Sequence, residues 1–241
     1  MNDKYTESDI HIKNPFIEKL DNFWFYYKIH IIVALFITFV LTVCIVQSCS
    51  KESADVKVLY AGRNDVRAVV EDIRNELNGV LPSDFDGNGK KYTDIVTYHV
   101  MDEEQIAKYQ QEIDKLPEED RVKIDRTYFT TESQNFNSYI MTGDCGVFLL
   151  DISIYNRLVS LDADHIILRP LSDVFAEIPE YAIGDYGIKF SETALYKNSE
   201  SMKNIPEDTV LCLSRSFVMG NSSNQKLYSR MIDMFVAMAQ G

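Results

Sequence analysis

Gly146-Val-Phe-Leu-Leu-Asp151 lies past the middle of the chain: four apolar residues, Val147–Leu150, with a glycine on one side and an aspartate on the other. A short apolar run between turn formers reads as a strand covered on both faces. Asp151 is placed to cap a following helix that carries Ile154, Tyr155 and Leu158 at helical spacing. Upstream, Phe136, Tyr139 and Ile140 mark a helix ending at Gly143, with Thr131 and Gln134 in the spacing of a capping box. Helix, buried strand and helix in succession are the unit of an α/β fold.

The same alternation extends outward. Val56–Ala61 (VKVLYA) reads as a strand ended by Gly62. Asn64 is a candidate cap for a helix carrying Val66, Val69, Val70, Ile73 and Leu77, closed by Gly79. Asp94–Val100 (DIVTYHV) is the next strand. Asp102 opens a helix with Ile106, Tyr109 and Ile113 inward and Pro117 just past its end. Thr209–Leu213 (TVLCL) is another buried strand, and a last helix from about Asn224 to Ala239 carries Leu227, Met231, Met234, Phe235 and Met238. Strands alternating with helices imply crossover connections, so the expectation is an α/β domain with a largely parallel sheet flanked by helices. Ligands of such sheets bind outside the carboxyl ends of the strands. That rule nominates Gly62, Arg63, Asn64, Asp102 and Asp151.

Ile29–Val46 (IHIIVALFITFVLTVCIV) is apolar apart from His30. With Gln47 and Ser48 it reaches the roughly 20 residues that cross a bilayer core. Trp24, Phe25, Tyr26, Tyr27 and Lys28 precede it, as aromatic rings and a snorkelling lysine suit a headgroup belt. The expected order is a cytoplasmic tail at 1–28, a transmembrane helix at 29–48, a linker at 49–54 and an extracytoplasmic domain at 55–241. The chain is then a single-pass protein of the cell membrane with its C-terminal domain extracellular. Val46-Gln-Ser-Cys49 offers an alternative, lipidation at Cys49, which puts the domain on the same side.

The net charge is −13, of which the first 50 residues, with four lysines against five acids, carry only −1. An acidic domain lacks the lysine and arginine surface that releases counterions from phosphates, which argues against nucleic acid as a partner. Cys145 and Cys212 fall beside or within strand-like runs and read as buried thiols, with a disulfide between them as the alternative.

Ser138–Phe175 carries a recognisable pattern. Gly143 and Asp144 form a turn; Val147, Phe148 and Asp151 follow; then come Leu168, Pro170, Leu171 and Asp173. This order, with Tyr186-Gly-Ile188 and TVLCLS after it, resembles the middle of bacterial extracellular solute-binding proteins. The aromatic lead into the apolar segment also resembles that of membrane proteins of Gram-positive bacteria. The resemblance implies a periplasmic-binding-protein-like fold. At about 190 residues the domain is short for two full lobes, so it implies a single lobe or a reduced second one.

Two motifs point to metal chemistry. Asp84-Phe-Asp86-Gly-Asn88-Gly89 matches the first half of a calcium loop, with oxygen ligands at alternate positions and a glycine at the sharp turn. Asp94 falls one residue short of the twelfth position, which is Ile95. The candidate ligands are therefore Asp84, Asp86, Asn88 and Asp94 for calcium, against a plain tight turn. Leu161-Asp-Ala-Asp-His165 resembles the Asp-x-Asp motif of sugar-nucleotide glycosyltransferases, in which two carboxylates hold a divalent metal. The later metal and phosphate motif of that class is not visible. Nothing forms a nucleophile elbow, phosphate loop or Cys-x-x-Cys. No catalytic residue is nominated, and no cofactor beyond calcium. The expectation is a non-enzymatic, membrane-tethered, solute-binding-like module, whose partner is the membrane together with a small solute or another membrane protein. A scaffold of a membrane complex and a metal-dependent glycosyltransferase are the alternatives.

Overall fold

A computed structural model describes residues 15–49, 54–142, 145–161, 167–215 and 222–240. The chain divides into two compact units, Met1–Glu52 and Ser53–Gly241.

The described residues of the first unit form one helix, α1 (Pro15–Cys49). Its stretch Phe23–Ile45 spans 23 residues with a mean hydropathy of 2.5 and no burial. Thr38 and Thr42 turn their hydroxyls back to the carbonyls of Ala34 and Thr38, each at 2.8 Å, so these polar groups are satisfied within the helix. This is one helix long and apolar enough to cross a membrane, a property that signal sequences share.

The second unit is α/β. Its strands are β1 (Val56–Gly62), β2 (Thr93–His99), β3 (Val147–Leu150), β4 (Ala182–Ile183), β5 (Gly187–Lys189) and β6 (Val210–Leu213). Its helices are α2 (Val70–Val80), α3 (Glu103–Asp114), α4 (Arg126–Thr142), α5 (Ile152–Leu161), α6 (Ala194–Asn198) and α7 (Ser222–Gln240). The six strands form one sheet in the order β2-β1-β3-β6-β5-β4. β1 runs parallel to β2 and β3, whereas β6, β5 and β4 pair antiparallel in turn. The expectation of a largely parallel sheet is thus corrected: half of the sheet is a parallel α/β core and half is an antiparallel extension. An apolar strand such as TVLCL signals cover on both faces, and that cover says nothing about direction.

Alternate residues of each strand feed two cores. Val56, Val58, Tyr60, Val147, Leu149, Leu211 and Leu213 face α2 and α7, meeting Ile73, Leu77, Met231, Met234, Phe235 and Met238. Leu59, Ala61, Phe148, Leu150, Val210 and Cys212 face α4 and α5, meeting Phe136, Ile140, Ile154, Tyr155 and Leu158. The result is a three-layer sandwich. At Gly146 a Cβ would collide with the Met231 side chain, so the missing side chain lets α7 lie close on β3. Cys145 and Cys212 are buried free thiols with no disulfide between them. Burial raises the pKa of both thiols.

Several local expectations are revised. Asn64 does not cap α2; a 3-10 turn at Arg67–Val69 leads into that helix, and the Asn64 amide donates to the carbonyl of Asn204 at 2.8 Å. α4 begins at Arg126, so Thr131 and Gln134 lie inside the helix and form no capping box. Asp102 does cap α3: it accepts from the Gln105 backbone at 2.8 Å, while Gln105 accepts from the Asp102 backbone at 3.0 Å.

Candidate functional site

The strand order reverses at β1. The chain leaves β1 for β2 on one side, then crosses to β3 on the other. In a parallel sheet such a reversal splays the loops at the strand carboxyl ends and opens a crevice between them. Three groups converge there. Arg63 follows β1, Asp151 follows β3, and Gln105 comes from the first turn of α3, which follows β2.

Asp151 is fully buried, so its carboxylate must be answered within the protein. One oxygen accepts from the Arg63 guanidinium at 2.8 Å. The other accepts from the Gln105 amide and from the Ser153 backbone, each at 3.0 Å. The Ser153 bond makes Asp151 the N-cap of α5 that the sequence implied. Arg63 also grips Asp208 with both of its terminal nitrogens, at 2.9 and 2.8 Å. These bonds, Asp208 foremost, hold the guanidinium more firmly protonated than usual. Arg63 thereby ties the end of β1 to the buried floor on one side and to the segment before β6 on the other.

A second cluster flanks this one. The His99 Nε2 lies 2.8 Å from the carbonyl of Arg63, which can only accept, so Nε2 carries the proton of the neutral ring. Nδ1 then faces the Tyr128 hydroxyl at 3.5 Å. Tyr128 in turn accepts from Arg67 at 2.7 Å, and Arg67 is gripped by Asp65. Partial burial pushes the His99 pKa below its ordinary value, against the opposing pull of the Arg63 carbonyl and of Asp65. His99 is therefore held neutral at physiological pH.

Around these groups lies a cavity of about 830 Å³ that is open to solvent. Arg63, Asn64 and Asp102 line it, as the strand-end rule anticipated, together with His99, Gln105 and Tyr109. Asp151 sits behind Arg63 rather than at the surface. Gly62 contributes its carbonyl to Val100 at 3.0 Å, and a Cβ there would stand 2.8 Å from the Tyr60 hydroxyl. Gln105, Asp208 and His99 were not nominated from the sequence, where His99 reads as a packed or surface residue of its strand. Gln105 had a visible signal in its capping-box spacing from Asp102. Asp208 had none, since the segment that presents it is joined to Arg63 only by the fold.

The Asp-rich turn lies at the other end of β1. Asp84 and Asp86 come together, and with them Asp55, which the sequence did not nominate; their carboxylates lie within 4.8 Å of one another. Asp55 is fully buried and accepts from the backbones of Phe85, Asp86 and Tyr92 at 2.7, 3.0 and 3.0 Å. Asp84 accepts from Gly87 and Gly89, whose φ angles of 76° and 86° require glycine. Asn88 folds back onto Asp86 at 2.9 Å. Asp94 does not join the group, because it lies in β2 opposite Lys57. The turn is built on backbone N–H groups donated to carboxylates, the structure that its Asp, Asn and Gly content favours without an ion. Asp162 and Asp164 of the Asp-x-Asp motif, and the Gly143-Asp144 turn, lie outside the described residues.

Comparison with protein-family models, with curated proteins and with solved structures found no match to this chain.

Proposed function

We propose that this chain is a membrane-tethered, extracytoplasmic, solute-binding-like module that takes a small polar ligand in the crevice at the carboxyl ends of β1, β2 and β3. The observation that carries the reading is the convergence of Arg63, Gln105 and His99 on one cavity at the point where the strand order reverses. Side chains there are already fixed by buried partners, as a preformed site requires. The resemblance of Ser138–Phe175 to solute-binding proteins agrees with it. Residues 53–241 form one compact unit, so the ligand sits at the edge of a single sheet rather than between two lobes. The helix α1 supplies the tether.

The test is a thermal-shift screen of the purified chain with sugars, amino acids, organic amines, carboxylates, and manganese with a sugar nucleotide. A ligand that binds only the folded state stabilises it by about 2.7 kcal/mol at a hundredfold excess over its dissociation constant. A shift that Gln105→Ala abolishes supports the reading. A shift confined to manganese with the nucleotide supports the transferase instead. The absence of any shift supports a scaffold whose partner is a protein.

A further inference from the structure

We infer that the ligand of this crevice is an aliphatic organic cation, a chain of methylenes bearing protonated amines. The inference rests on the crevice being a ligand site and names the class of ligand.

The charge of the lining points to a cation. Arg63 is a single cation shared by two carboxylates, Asp151 and Asp208. Lys108 pairs with Glu104 at 2.8 Å on the rim, and Asp65 is taken by Arg67. Asp102 and Glu112, which also line the cavity, make no ion pair among the described residues. Five carboxylates thus line the cavity, against Arg63 and Lys108 within it and Arg67 beside Asp65, and His99 adds no charge because it is held neutral. Carboxylates gathered around a concave surface focus a negative potential into the space between them. Arg63 does not reverse this, for Asp151 and Asp208 both bind its guanidinium from within the protein.

The shape and polarity of the lining point to an aliphatic one. Asp102, Gln105, Tyr109 and Glu112 recur at helical spacing, so they form one stripe along α3. Ten residues of helix separate the two carboxylates, about 15 Å along the axis. Between them stands the ring of Tyr109, 39% exposed, whose face attracts a cation. Val69, Met101 and Ile152 contribute half-buried apolar side chains to the same cavity. A bare metal ion has no use for such contacts and a sugar has little. Methylenes flanked by ammonium groups satisfy both the apolar wall and the separated carboxylates.

Isothermal titration of the full chain in neutral detergent tests this with spermidine, glutarate and glucose as probes. Spermidine is expected to bind saturably and more weakly as salt is raised. The double variant Asp102→Asn, Glu112→Gln keeps the helix cap and is expected to bind at least tenfold more weakly with unchanged melting temperature. The control Glu118→Gln, Glu119→Gln removes two acids outside the crevice and is expected to bind as the native chain does. Equal weakening in the control makes the binding diffuse and overturns the inference. Binding of glutarate or glucose that Gln105→Ala abolishes keeps the crevice as a binding site but overturns the cation. No heat from any probe overturns both.

Discussion

Replacing Arg63 by methionine keeps the aliphatic stem of the side chain and removes the guanidinium that answers Asp151. Breaking a buried ion pair by deleting one partner costs about 3–5 kcal/mol, because the surviving charge is stranded in a poor solvent. Two features of this site reduce that figure. The Arg63 side chain is 35% exposed, so part of its charge is screened, and Asp151 keeps Gln105 and the Ser153 backbone as donors. The expected loss is therefore about 2–3 kcal/mol, at the low edge of that range. For a domain of this size each kcal/mol moves the midpoint by about 2–4 °C, so a fall of about 5–10 °C is expected. The decisive comparison adds Asp151→Asn to Arg63→Met. An amide is neutral, and its oxygen can still accept from Ser153 and Gln105. The double variant should regain about 1–2 kcal/mol, a coupling within the range seen for residues in contact. Asp208→Asn should cost less than about 1 kcal/mol, since Asp208 is half-exposed. Urea unfolding followed by far-UV circular dichroism measures all four proteins. A double variant no more stable than Arg63→Met alone would refute the claim that a stranded charge is the cause.

Three further outcomes follow from other parts of the domain. Asp55→Ala removes three backbone hydrogen bonds from a buried carboxylate and should cost about 3 kcal/mol; the loss should be the same in EDTA and in calcium, and a loss seen only in calcium would make the ion the organiser of the loop. His99 has a folded-state pKa below its ordinary 6.5, so the unfolded chain takes up the proton first. Its contribution to stability is complete above that value and is lost as pH falls through the folded value, by at most about 1.4 kcal/mol per pH unit. His99→Gln, which keeps a donor for the Arg63 carbonyl, should flatten the stability profile between pH 7.5 and 5.5 (roughly one unit either side of the free histidine value); an unchanged profile would remove His99 as its source. Gly146→Ala drives a methyl into Met231 and should cost about 1–3 kcal/mol. Combined with Met231→Ala it should cost at least about 1 kcal/mol less than the two separate losses added together, and strict additivity would mean that α7 does not rest on that glycine.

What could be read from the residues depended on how local its cause was. Val147–Leu150 and Val210–Leu213 are strands because they are buried on both faces, and an unbroken apolar run records that burial directly. The cap of α3 is equally local, since donor and acceptor lie three residues apart. β4 and β5 are only two and three residues long, too short to carry a period, and they exist because β6 offers an edge to pair with. β4 and β5 were illegible for that reason, and the direction of β6 with them. α4 starts before its apparent Thr131 signal because Asp125 caps it, accepting from the Thr127 and Tyr128 backbones at 2.9 and 3.2 Å. Asp94 looked like a ligand by counting alone, but the strand that begins at Thr93 carries it away from the turn.

The candidate site shows the same division in reverse. The residues at strand ends were found because topology dictates them: any chain that runs from β1 out to β2 and back past it to β3 must open a crevice at that reversal. Arg63 and Asp151 are the next residues after β1 and β3, so the fold alone brings them together across 88 positions of sequence. Once they meet, Asp151 has no water to solvate it and must take a cation. Arg63 is the cation at hand, and Asp208 arrives on the segment before β6 to share its guanidinium. The arrangement fixes the cleft's floor while engaging the half-buried Arg63 guanidinium internally. A site built this way leaves Asp102 and Glu112, at the two ends of the α3 stripe, without an ion pair among the described residues, and its electrostatics follow from the packing of its own support.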